Sequence, residues 1–168
     1  MVDCGLFQGL KELRLKNWEA PPVKPSDVSA ILLTHAHLDH SGYIPKFVKD
    51  GFRGLIYCSD ATFDLCKILL TDSGRIQEED AEFANRHAFS KHAPALPLYT
   101  RQDALDALPL IKAMEFGKAF TPLPGWQATF SPAGHILGAS SILLEVADRD
   151  MVGAGAFGVS FRVPIVAG

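Results

Sequence analysis

Residues 32–45 read LLTHAHLDHSGYIP. Four side chains able to bind a metal, His35, His37, Asp39 and His40, fall within six residues directly behind an apolar run. In an extended segment His35 and His37 point to the same side, and a turn after them can aim Asp39 and His40 into the same space. Neutral imidazole and carboxylate are zinc ligands, bound at about 2.0–2.2 Å in mostly tetrahedral sites. Donors this close together crowd a single tetrahedron and suit two neighbouring ions about 3.5–4 Å apart. Such a pair clamps a scissile phosphate or carbonyl and generates hydroxide near neutral pH. Polar residues scattered on an exposed loop do not account for an HxHxDH directly behind a buried strand.

A further histidine, His135, lies in SPAGHILGASS between two strand-like segments, flanked by Gly134 and Gly138, which let the backbone turn tightly. Beside a site in need of another ligand it is read as metal-binding. Asp3, in VDCG, ends a strand-like start next to a glycine. A turn aspartate and a carboxylate orienting a metal-bound imidazole both fit, and residue type does not separate them. His87 and His92 sit in a polar stretch and read as solvated surface. Asp60, Asp64 and Asp72 read as caps and surface charges.

The elements that must position these groups follow from pattern. Residues 28–33 are a β-rich apolar run, a buried strand leading into the motif. Residues 1–4 read as the end of another strand, and a short polar helix fits residues 11–16. Residues 43–50 have helical spacing and stop at Gly51. Residues 54–59 form a second buried strand, after which Ser59 or Asp60 caps a helix with Phe63, Cys66, Leu69 and Leu70 on its apolar face. A mostly solvated helix covers residues 78–91, and a proline-rich connector, residues 93–99, follows. Thr100 and Asp103 form a capping pattern ahead of a helical run over residues 104–114. From Ala119 the rhythm is β, with strands expected over 119–123, 126–135 and 140–146. The order of strands, helices and strands, without repeats, is an α/β pattern. Residues 151–168 contain no Asp, Glu or His and are glycine-rich, with room for one apolar strand.

The chain of 168 residues is long enough for one domain with a core. At 48% hydrophobic and 21% charged residues it is ordinary for a globular protein. A net charge of −3 argues against binding nucleic acid through bulk electrostatics, although a local groove can still be basic. Cys4, Cys58 and Cys66 have no CxxC spacing and read as reduced thiols, the pattern of a cytoplasmic protein. No apolar run approaches the roughly 18 residues of a membrane span.

On these residues THAHLDHSG resembles the signature of the metallo-β-lactamase-fold hydrolases, whose αββα sandwich carries a dinuclear zinc site at one edge. SPAGHILGASSILLE resembles the third-histidine motif of one branch, the β-CASP nucleases of RNA metabolism. That branch includes ribonuclease J and the nuclease subunit of the eukaryotic pre-mRNA 3′-end processing factor. LLTDSGRIQEEDAEFANRHAFSKHAPALPLYT is similar to the inserted helices of its bacterial and archaeal members. The likeness covers residues 2–145. It implies that His35, His37 and His135 hold one zinc, that Asp39 and His40 hold the second, and that Asp3 supports the site. Asp39, His40 and Asp3 are then the candidate catalytic residues, and RNA is the implied substrate; a homodimer is left open.

The resemblance also has gaps. The family begins with strands ahead of the VDCG aspartate and carries a bridging Asp in a GDLG-like motif one strand after SSILLEV. Here Asp148 and Asp150 look like a hairpin turn, and no acidic residue follows them. The expectation is a partial domain over residues 1–149, lacking N-terminal strands and the C-terminal half, with an atypical tail over 150–168 from truncation or a shifted frame. Without the bridging carboxylate the second zinc binds weakly, and the isolated chain is poorly stable and nearly inactive. Two other readings stand beside the nuclease: a small-molecule hydrolase of the same fold, and a degenerate domain without catalysis.

Overall fold

A computed structural model of the chain describes residues 1–87, 93–146 and, for the backbone, 159–163. Strands β1 (Ala30–Leu32), β2 (Leu55–Ser59) and β3 (Ile111–Met114) form a parallel sheet in that order. Ile31 lies beside Ile56, and Ile56 beside Ile111. Val2 adds an isolated parallel bridge to Leu32, so the chain start behaves as the strand end its sequence suggests. After Lys11–Leu15 (α1), the helices Leu38–Ser41 (α2) and Ile44–Lys49 (α3) connect β1 to β2. Asp60–Arg86 (α4) and Arg101–Ala107 (α5) connect β2 to β3. Parallel strands require such crossovers, and these place α3, α4 and α5 on one face of the sheet.

Period-two alternation divides the core. Ile31, Leu33, Ile56 and Cys58 face the helices and pack with Phe47, Phe52, Cys66, Leu70 and Tyr99. Leu32 and Tyr57 face the other way, onto a second sheet. That sheet is antiparallel, in the order β4 (Ala119–Phe120), β5 (Trp126–Pro132), β6 (Ser140–Val146), β7 (Val159–Val163). Ala128, Phe130 and Ile142 point inward, while Gln127 and Ser131 are exposed. Phe130 is fully buried between the sheets, so truncating it to alanine costs about 3–5 kcal/mol. All three cysteines are buried and free, and burial pushes the Cys4 and Cys66 thiols up to about 12, which keeps them protonated.

The α/β class, the strand positions and the Ser59 cap match the expectations, with shorter strands at β1, β4 and β5; β5 ends at Pro132, which leaves His135 in the loop after it. Two elements differ. Residues read as two helices form the single helix α4, which ends at Arg86. Gly74 in its middle marks a close approach rather than a break: a Cβ there would lie 2.7 Å from the Arg101 nitrogen and the Thr100 carbonyl oxygen. Second, the helical run ends at Ala107; a 3-10 turn starting with Leu108 and Pro109 leads into β3, a strand the helical reading covered. His87 is exposed, its ring tilted at 43° against that of Phe83. Asp60 sits in the first turn of α4, and Asp64 and Asp72 form surface pairs with Lys67 and Arg75. His92, Asp148 and Asp150 lie outside the described residues.

The α5 cap ties the helix layer together. The Thr100 hydroxyl accepts from the Asp103 N–H at 3.1 Å, and the Asp103 carboxylate accepts from the Thr100 N–H at 2.8 Å. Lys49, at the end of α3, donates to the same carboxylate at 2.7 Å. Burial pushes the Asp103 carboxyl up, but the Lys49 ammonium and the Thr100 donors together outweigh it and hold the group below the usual range. A depressed carboxyl contributes stability above its unfolded pKa and loses it as pH falls through the folded value. Asp103→Ala should therefore cost about 1 kcal/mol in denaturant unfolding at neutral pH. The gap from the parent should close below about pH 4; a gap independent of pH would contradict this role.

Candidate metal centre

The motif occupies the carboxyl end of the parallel sheet, where open α/β sheets bind ligands. His35 is buried, three residues past β1. His37 is the residue before α2, and the Ser41 hydroxyl donates to the carbonyls of Ala36 at 2.8 Å and His37 at 3.1 Å, closing the ligand loop. The chain start braces this loop from outside. Cys4 N–H donates to the His40 carbonyl at 2.7 Å, and Leu6 N–H to that of Leu38 at 2.8 Å. Between them Gly5 lies so close that a Cβ would fall 1.6 Å from the Asp39 carbonyl oxygen. Only glycine fits there.

Asp3 orients two rings. Its Oδ1 accepts from the Thr34 N–H at 2.7 Å; its Oδ2 lies 2.9 Å from Thr34 Oγ1 and 2.7 Å from His40 Nδ1. An ionised carboxylate only accepts, so His40 carries its proton on Nδ1 and Thr34 donates its single hydroxyl proton to Asp3. The Thr34 oxygen, 2.9 Å from His35 Nδ1, then accepts from that nitrogen. In the neutral imidazole this leaves Nε2 of each ring as the nitrogen available to a metal. Burial, then the neighbouring His40, His37 and His135 rings, lowers the His35 pKa to about 4, against a smaller opposing effect of Asp39. His35 is neutral at physiological pH.

Three ring nitrogens converge. His37 Nδ1 lies 3.1 Å from His35 Nε2 and 3.1 Å from His135 Nε2. The ligand atoms of the three residues all lie within 4.8 Å of one another. Tetrahedral ligands at 2.0–2.1 Å from one ion sit about 3.3 Å apart, so two of the three edges are close to that spacing and the donor set fits a divalent cation. His135 comes from the loop between β5 and β6, with Gly134 at φ +72° and Gly138 at φ +80° and Ala133 N–H bonded to the Ala139 carbonyl at 2.9 Å. The glycines make the tight turn expected of them.

Asp39 and His40 stand beside this triad rather than in it. His40 Nε2 lies 3.6 Å from Asp39 Oδ2, and its ring centroid is 4.1 Å from that of His35. Among the described residues the two do not form a group of three ligating atoms of the kind the histidine triad makes. Sequence reasoning missed Thr34 and Gly5. Thr34 directly precedes the motif, but its role depends on an aspartate 31 positions away.

Removing the carboxylate's control should be felt at the metal. Asp3→Asn and Thr34→Val should each weaken binding of a divalent ion about 10–100-fold in chelator competition, and unchanged affinity in both would refute the relay. Gly5→Ala should destabilise the chain by more than about 2 kcal/mol in thermal or denaturant unfolding; near-wild-type stability would show that the close approach relaxes.

Similarity to known proteins agrees with this geometry. The family model of the Metallo-beta-lactamase superfamily matches residues 1–108. Ribonuclease TTHA0252 of Thermus thermophilus is 32% identical over 158 residues, 94% of this chain and 32% of the relative. Transcription termination factor FttA of Methanocaldococcus jannaschii is 28% identical over 88% of this chain and 21% of its own length. Endoribonuclease YSH1 of Gibberella zeae is 31% identical over 77% of the chain and 14% of the relative. The chain thus spans a third or less of these relatives. Among solved structures, BJP-1, a subclass B3 metallo-beta-lactamase of Bradyrhizobium japonicum, superposes with a TM-score of 0.50 at 20% identity, over 96% of this chain and 50% of that one. The matched family profile, the shared sandwich layers and the histidine cluster at the sheet edge agree, and the chain belongs to the metallo-beta-lactamase superfamily.

Proposed function

We propose that this centre holds zinc and that the protein is an RNA phosphodiesterase of the β-CASP type. The observation that carries the reading is the convergence of His35 Nε2, His37 Nδ1 and His135 Nε2 next to Asp39 and His40. RNA as substrate is supported by relatives named as a ribonuclease and an endoribonuclease. His35, His37 and His135 hold the first ion. Asp39 and His40 Nε2 begin a second position, with Asp39 more than half exposed on the open side where a substrate arrives. When bound, zinc supplies Lewis acidity toward a phosphoryl oxygen and an acidified water. Asp3 and Thr34 keep the His35 and His40 rings turned with Nε2 free. With two donors against three, the second position binds more weakly than the first, and hydrolysis by this chain alone is slow.

Elemental analysis of purified protein should find about one tightly held zinc per chain, with further uptake only in excess zinc. The double variant His35→Ala/His37→Ala should hold none, and retention of wild-type zinc would refute the assignment. Labelled single-stranded RNA should be cleaved slowly by the parent in excess zinc and not by that variant. If a β-lactam or thioester is hydrolysed instead and RNA is not, the small-molecule reading replaces this one.

A further inference from the structure

The third ligand differs from the others in how it is held. His35 and His37 follow a central strand, whereas His135 rides on a loop of the second sheet, where its neighbour Leu137 is exposed. Loops of this kind are mobile unless something fixes them, and a metal ligand must be placed to within about half an ångström.

The fixing group is a carbonyl. Gly138 C=O accepts from the Ser59 hydroxyl at 2.6 Å and from the Thr62 hydroxyl at 2.9 Å. Both donors are buried, at 1% and 0% exposure, and come from the end of β2 and the first turn of α4. The Ser59 oxygen also accepts the Thr62 N–H at 3.2 Å, so one residue caps α4 and holds the loop. The approach leaves no room: a Cβ on Gly138 would lie 2.4 Å from the Thr62 nitrogen and 2.8 Å from Ser59 Oγ. On the far side of the turn, the Ser140 N–H and hydroxyl donate to the Thr34 carbonyl at 2.9 and 3.1 Å, tying the loop to the residue before His35. Ile136 adds an apolar contact to the main core.

We infer that Ser59 and Thr62 are positioning residues for the metal centre: their hydroxyls seat the Gly138 carbonyl and thereby place His135 against His35 and His37. This rests on the reading of the three histidines as a zinc site. Neither hydroxyl touches the metal position, and both act through the loop backbone.

The test uses Thr62→Val, which keeps the side-chain shape and removes the hydroxyl, the double variant Ser59→Ala/Thr62→Val, and Thr62→Ser, which keeps a hydroxyl. Three quantities are read: zinc affinity by chelator competition, the visible spectrum of the cobalt-substituted protein, and hydrogen exchange at Ala133 and Ala139 without metal. Thr62→Val should weaken zinc binding a few-fold and the double variant about tenfold or more. The cobalt bands should lose tetrahedral intensity, the two amides should exchange faster, and Thr62→Ser should stay near wild type. If the double variant does not fold, the Thr62→Val and Thr62→Ser pair carries the same comparison. Variants that fold and keep wild-type affinity and spectrum would overturn the inference and leave Ile136 and Ser140 as the loop's anchors. A parent chain that takes up no zinc would instead overturn the zinc-site reading beneath it.

Discussion

The carboxylate of Asp3 accepts hydrogen bonds from the Thr34 amide, the Thr34 hydroxyl and His40 Nδ1, and each bond fixes something the site requires. The first joins the chain start to the end of β1. The second sets the direction of the Thr34 hydroxyl, and through it the tautomer of His35. The third sets the tautomer of His40. Asp3 achieves this in a left-handed backbone, φ +54°, which among the described residues is otherwise found only at glycine. Such a conformation costs about 1–3 kcal/mol and persists where surrounding contacts over-determine it. Here the backbone bonds from Asp3 N–H to Leu32 and from Cys4 N–H to His40 do so.

Bringing the three histidines together is a matter of joining layers. His35 and His37 follow the parallel sheet, and His135 belongs to the antiparallel one. Phe130 and Ile142 press the sheets together through an apolar interface that has no directional preference. Direction comes from the polar contacts at the sheet edge, where Ser140 reaches Thr34 and Gly138 reaches Ser59 and Thr62. Among the described residues no buried side-chain nitrogen or oxygen lacks a partner. A polar network of this kind specifies one arrangement because each group left unpaired would cost desolvation energy.

Much of this was legible from sequence, for local reasons. HxHxDH packs its donors into adjacent positions, the Ser59 and Thr100 caps are short-range patterns, and the β rhythm from Ala119 marks the antiparallel strands. What was not legible depends on distant partners. The Asp3–Thr34 contact spans 31 positions and needs the Val2–Leu32 bridge to exist. The Ser59–Gly138 bond spans 79 and looks in sequence like a helix cap alone. β3 was hidden because IKAM directly follows a helical run and gains its strand state only by pairing with β2. The continuity of α4 rests likewise on a distant partner, since Gly74 in its middle lies against the Thr100 and Arg101 backbone.

The proposed centre rests on three imidazoles converging on one cation. X-ray absorption at the zinc edge, on protein loaded with one equivalent of zinc, examines that directly. It should give a first shell containing three imidazole nitrogens at about 2.0–2.1 Å. A shell with one imidazole or none, or one dominated by sulfur, would contradict the assignment of His35, His37 and His135 as the metal centre.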